Sequence, residues 1–217
     1  MNARRLAFLL FVVAGCLLGT GCDDSKSPLS DPGQSKPDPR LAGVWRWKHD
    51  ADDVLYYHVA QAGGKLPASV MWVVLNDSAT EPKQDALGGW PDVTVLFPTV
   101  QGKTAYLNFG ESWTTAGHPI DELKKNGWKA GAVESYSIFK YRIEGDTALV
   151  WGMDEHAIRR AIEAGKIKGE TEKSDAGDGS VRFTDTTENV ARFVAAAGDG
   201  LFEKQPLRLE RVKQPSP

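Results

Sequence analysis

The chain has 217 residues, 41% of them hydrophobic and 25% charged, and carries a net charge of −3. That composition suits a globular protein with one core, and without a basic stripe or an interleaved basic and aromatic run it disfavours nucleic-acid binding. Both cysteines, Cys16 and Cys22, lie near the N-terminus, so the rest of the chain has no internal disulfide and no thiol nucleophile.

Residues 1–22 begin with Arg4 and Arg5, continue as an apolar run from Leu6 to Leu18, and end in small residues before a cysteine. The run is too short to span a bilayer well as a lone helix, and its pattern is that of a targeting segment, outside the folded part. It resembles the signal peptide of a bacterial prolipoprotein, whose lipobox cysteine is lipidated and becomes the new N-terminus. Val13-Ala14-Gly15-Cys16 fits the lipobox better by residue type, and Gly19-Thr20-Gly21-Cys22 departs from the usual Leu. Yet Cys22 is followed by polar Asp23-Asp24-Ser25, whereas Cys16 is followed by Leu17-Leu18. Lipidation is therefore assigned to Cys22, with Cys16 as the alternative. The competing reading is a soluble secreted protein cleaved near Gly21. The resemblance implies a cell-envelope protein held on a membrane by lipid, with its domain in the periplasm or at the cell surface.

Residues 23–40 are rich in Pro, Ser, Asp and Lys and almost free of apolar side chains. Such a segment buries too little surface to offset its ordering entropy. It is expected to be a disordered tether with a reach of roughly 20–25 Å.

A single folded domain is expected over 41–213. Trp45 and Trp47 alternate with Val44 and Arg46 in a first strand, and the segments 54–60, 69–75, 93–97 and 104–109 have the same aromatic and β-branched character. Gly102-Lys103 turns the last two into a hairpin. The segment 76–91 is polar and reads as a loop. Short strands separated by turn signals predict a mainly β, α+β fold, an antiparallel sheet or barrel. Gly43-Val44-Trp45 resembles the G-x-W of the first lipocalin strand. That resemblance implies a Trp closing one end of a barrel under an Arg of the last strand, here Arg208 or Arg211. The Thr-Asp-Tyr turn of that family is not matched, because Thr184-Asp185 is followed by Thr186.

Pro119 and Gly127 bracket a possible short helix over 120–126. Trp113 and Trp128 flank it, which suggests a loop over a barrel mouth. Phe139, Tyr141 and Ile143 then alternate with Lys140 and Arg142, Gly145-Asp146 turns the chain, and Leu149 to Trp151 return. This spacing sets Tyr141 against Val150 and Lys140 against Trp151. Asp154 is placed as the N-cap of a helix that ends before Gly165, with a Glu155–Arg159 pair. Asp185 and Glu188 read as the capping box of a second helix, which ends before Gly198. Both are short amphipathic helices suited to cover a sheet. Leu207, Leu209 and Arg211 share one face of a closing strand. Trp45, Tyr141, Val150, Ile158, Phe193 and Leu209 are expected in one hydrophobic core.

No catalytic site emerges. His49, His58, His118 and His156 lack metal-ligand spacing, and there is no G-x-S-x-G, P-loop, G-x-G-x-x-G or H-E-x-x-H pattern. Thr114, Thr115, His118 and Asp121 lie too close in sequence for an assembled triad. Asp175 and Asp178 lack the spacing of a calcium loop. No metal or other cofactor is expected, and the chain is read as a non-enzyme. Its seven tryptophans motivate an apolar pocket near 110–133 lined by some of Trp47, Trp72, Trp113, Trp128 and Tyr136, since indoles offer broad contact and one polar handle. The first function class is a binding module for a small apolar or amphipathic ligand. The second is a protein–protein module of the envelope, an assembly factor or inhibitor. The third is an uncharacterised hydrolase.

Overall fold

The Gly145-Asp146 hairpin pairs as its spacing predicts, with Tyr141 opposite Val150 and Lys140 opposite Trp151. The Lys140 ammonium sits 4.5 Å from the Trp151 ring centroid and 2.8 Å from Asp199, so the pairing across this hairpin includes a cation–π contact. In the computed structural model the described residues are 23–48, 54–76, 93–111, 127–128, 133–172 and 179–213. The expected helix over 120–126, Trp113 and most of the 76–91 segment lie outside them.

The strands are β1 (Asp23–Ser25), β2 (Gly43–Lys48), β3 (Val54–Gln61), β4 (Met71–Asn76), β5 (Val93–Gln101) and β6 (Thr104–Glu111). They continue as β7 (Ser135–Glu144), β8 (Thr147–Trp151), β9 (Gly169–Thr171), β10 (Val181–Phe183) and β11 (Leu207–Arg211). Two helices, α1 (Glu155–Glu163) and α2 (Thr187–Ala197), stand between β8 and β11. Strands β2 to β8 form an antiparallel meander, β11 pairs with both β8 and β2, and β6 pairs with β7. The result is a closed eight-stranded antiparallel barrel, consistent with the lipocalin-like architecture that G-x-W implied. Closure removes the exposed sheet edges that an open meander would leave.

Helix α1 begins at its predicted N-cap, where the Asp154 carboxylate accepts from the Ala157 N–H at 2.8 Å. Arg159 donates to Glu155 at 2.5 Å. The cap of α2 is one residue later than expected: Thr186 Oγ1 accepts from the Asn189 N–H, while Asp185 takes the Thr186 N–H and the Asn189 amide. Asp185 thus orients the turn before the helix rather than capping it.

The expected single core is two. Trp45, Tyr141, Val150 and Leu209 pack inside the barrel. Ile158 and Phe193 pack outside it, where α1 and α2 cover Tyr106 and Ile138 together with Val181 and Phe183 of β10. Residues alternate between faces along a strand, and once the sheet closes those faces cannot share one core. A third cluster, again on the outer wall, gathers Trp72, Val95, Phe97, Val133 and Tyr136.

Segment 23–40, expected to be a disordered tether, is laid against the barrel. Strand β1 pairs in parallel with β10 and touches β7 at Tyr136. The buried Asp24 carboxylate takes two hydrogen bonds from Arg182, at 2.5 and 2.6 Å. Leu29 is buried in the outer cluster, and its N–H donates to the fully buried Asn108 amide oxygen at 2.6 Å. Ser30 meets Thr99, and Ser69 donates to the Pro32 carbonyl. The ordering cost is offset by these partners rather than by the segment's own composition, which holds few apolar residues.

Candidate functional site

The register divides every barrel strand into inner and outer residues. Trp45 faces Tyr57 and Trp47 faces Leu55 across β2–β3, Tyr57 faces Leu75 across β3–β4, and Leu107 faces Phe139 across β6–β7. This inner face is the candidate site.

One end is closed. A single 3-10 turn, Pro39–Leu41, runs into β2 and buries Leu41 in the lumen cluster. The Trp45 indole N–H donates to the Leu41 carbonyl at 2.7 Å. Over that indole lies the Arg211 guanidinium, 4.1 Å from the ring centroid. It donates to the Ala42 and Arg40 carbonyls at 2.6 and 2.5 Å. Of the two arginines that the G-x-W resemblance offered, Arg211 is the one over the Trp; Arg208 points to Thr147 on the outside. Gly43 explains the first letter of the motif. Its φ is +127°, and a Cβ there would stand 2.6 Å from an Arg211 nitrogen, so only glycine leaves room for the guanidinium.

Tyr141 completes the base by donating to Asp38 at 2.9 Å. Burial, reinforced by the Asp38 charge and the hydrogen bond to it, raises the Tyr141 pKa. Burial also acts to raise Asp38, but the hydrogen bonds from Arg40 and Tyr141 outweigh it and leave its pKa below the ordinary 3.8.

Away from the base the packing loosens. Trp45, Val59, Val73, Tyr141 and Leu209 are buried, whereas Trp47, Tyr57, Leu75, Phe109, Phe139 and Leu207 keep part of their surface although they point inward. Phe109 and Phe139 meet edge to face at 6.2 Å. The strand directions put the strand ends Lys48, Val54, Asn76, Val93 and Glu111 at this looser end. Burial pushes the Tyr57 hydroxyl up to about 12.

The expected pocket residues separate. Trp47 is on the inner face. Trp72, Trp128 and Tyr136 belong to the third, outer cluster, where Trp128 and Tyr136 pack edge-on against Phe97 at 5.5 and 6.1 Å and the Trp72 indole donates to the Ala62 carbonyl. Trp113 lies outside the described residues. Tyr57, Phe109, Phe139 and Leu207 were not singled out from sequence. Parity could have found them, because Trp45 marks the inner face and each pairing carries that mark to the next strand. Among the described residues no group of three or more His, Cys, Asp and Glu is placed to hold a metal ion.

The chain matches no protein-family model, no curated protein and no solved structure.

Proposed function

We propose that this is a lipid-anchored envelope protein whose barrel lumen binds a small apolar or amphipathic ligand. The observation that carries the ligand reading is the contrast along the inner face: a base sealed by Trp45, Arg211 and Leu41, and beyond it half-buried aromatic and aliphatic side chains. A concave, mostly apolar space with few polar groups is the usual form of a small-molecule site. Native mass spectrometry of the protein purified from its own host tests this, and a bound small molecule is expected. If none is found, and Trp emission does not change with fatty acids, phospholipids or glycan fragments, the partner-module reading replaces this one.

The anchor reading rests on the residues around Cys22. Because β1 starts at Asp23, lipidation at Cys22 joins the acyl chains to the folded body with almost no spacer. Several chains make a stable anchor, at about 0.8 kcal/mol per buried CH₂. Cys22→Ser should release the protein into the soluble fraction. Release by Cys16→Ser instead would move the anchor to Cys16.

A further inference from the structure

The inner face carries five described hydroxyl-bearing side chains whose surroundings differ. Thr94 donates to the Gly110 carbonyl, Tyr141 donates to Asp38, and Ser135 and Ser137 are also engaged. Tyr57 alone has no hydrogen-bond partner among the described residues. It stands on β3 between Trp45 and Leu75, directly opposite the Trp45 of the sealed base. Tyr57 is half-buried and its hydroxyl is not among the sealed, unpartnered side-chain atoms of the described residues, so it stays open to a ligand oxygen. Below the rim, Arg211 is the one charged side chain described on this face, and its guanidinium is committed to Trp45 and two carbonyls.

We infer that Tyr57 is the polar anchor of the lumen ligand, and that the ligand is an apolar molecule bearing an uncharged oxygen, such as an alcohol, ester or ketone. The inference rests on the lumen reading above and narrows its ligand class. A neutral oxygen satisfies the Tyr57 hydroxyl at the bottom of the space. A carboxylate or phosphate at the same depth would be desolvated without an available cation, which is far more costly. Burial holds the Tyr57 proton in place at neutral pH, so the group is a donor throughout the physiological range.

The test is displacement of neutral N-phenylnaphthylamine by decanol, decane and decanoate, each delivered from cyclodextrin, on wild type and Tyr57→Phe. One neutral hydrogen bond corresponds to a preference of roughly 2- to 10-fold. Wild type should favour decanol over decane by that factor, with decanoate weakest. Tyr57→Phe should bind decane as before and lose the preference for decanol. Equal affinity of wild type for decanol and decane overturns the inference and leaves the lumen reading standing, as does a preference that survives in Tyr57→Phe. Tighter binding of decanoate overturns the uncharged class. If neither the probe nor any of the three binds, the lumen reading fails and the inference fails with it. The wild-type series decides the ligand class even if Tyr57→Phe misfolds, and the thermal midpoint of the variant reports whether it has.

Discussion

Arg211 connects three parts of the base at once: the Trp45 ring beneath it, the Ala42 carbonyl before β2 and the Arg40 carbonyl of the 3-10 turn. A cation–π contact contributes about 0.5–2 kcal/mol, and a charged hydrogen bond contributes about 1.5–3 kcal/mol. Arg211→Ala should therefore lower stability by roughly 2–4 kcal/mol in urea unfolding, allowing for overlap between these contributions. Arg211→Lys should recover little, because an ammonium cannot stack and fork in the same way. The neighbouring Asp38 gives the base a pH dependence. Its folded pKa lies below the ordinary value, so its contribution is present above the unfolded pKa and is lost as pH falls through the folded one. The urea midpoint of wild type should drop through that acidic window. Asp38→Asn should start lower at neutral pH and show a shallower acid loss; an identical pH profile would show that Asp38 is not coupled to folding.

The element that most changes the picture of the chain is the segment from β1 to the 3-10 turn, which crosses the outer wall and then closes the base. Asn108 is its main fastening. Its side chain is fully buried on the outer face of β6, accepts from the Leu29 N–H, and donates to the Phe97 carbonyl and the Thr99 hydroxyl. Asn108→Ala leaves buried polar groups without partners and should cost about 2–4 kcal/mol. Hydrogen exchange should show the loss concentrated in 24–31 and the paired part of β10, with β2 and β3 little affected. Uniform loss of protection would mean that the segment unfolds only with the whole barrel.

At the scale of the whole molecule, closure creates two environments with no shared side chains. The helices belong to the outer one: Ile158 and Ala161 of α1 and Val190 and Val194 of α2 are buried against the outside of the barrel and the small β1–β10–β9 sheet. Ile158→Ala should cost roughly 2–5 kcal/mol as a buried large-to-small change. It should leave the displacement of N-phenylnaphthylamine from the lumen within about twofold, because distant sites without shared partners act independently. A large change in affinity would mean that the helices set the shape of the lumen.

Local features were legible in the chain wherever a short segment carries its own physical reason. The Gly145-Asp146 turn sets the β7–β8 register, Asp154 caps α1, and Leu207, Leu209 and Arg211 share a face because side chains alternate. G-x-W reached further, since it named the arginine pair from which Arg211 emerged. The closed barrel settled the rest, because which face of an amphipathic strand lies inside depends on all its neighbours. Trp47 and Trp72 both occupy strands with aromatic and β-branched neighbours, yet one lines the lumen and the other the outer wall. Tyr57 looks like one aromatic residue among several in β3 until pairing with Trp45 and Leu75 turns it inward. Residues 23–40 illustrate the same limit from the other side. Their composition predicts disorder, but the partners that hold them, Asn108, Arg182 and Tyr141, lie far along the chain, and only the folded barrel brings them together.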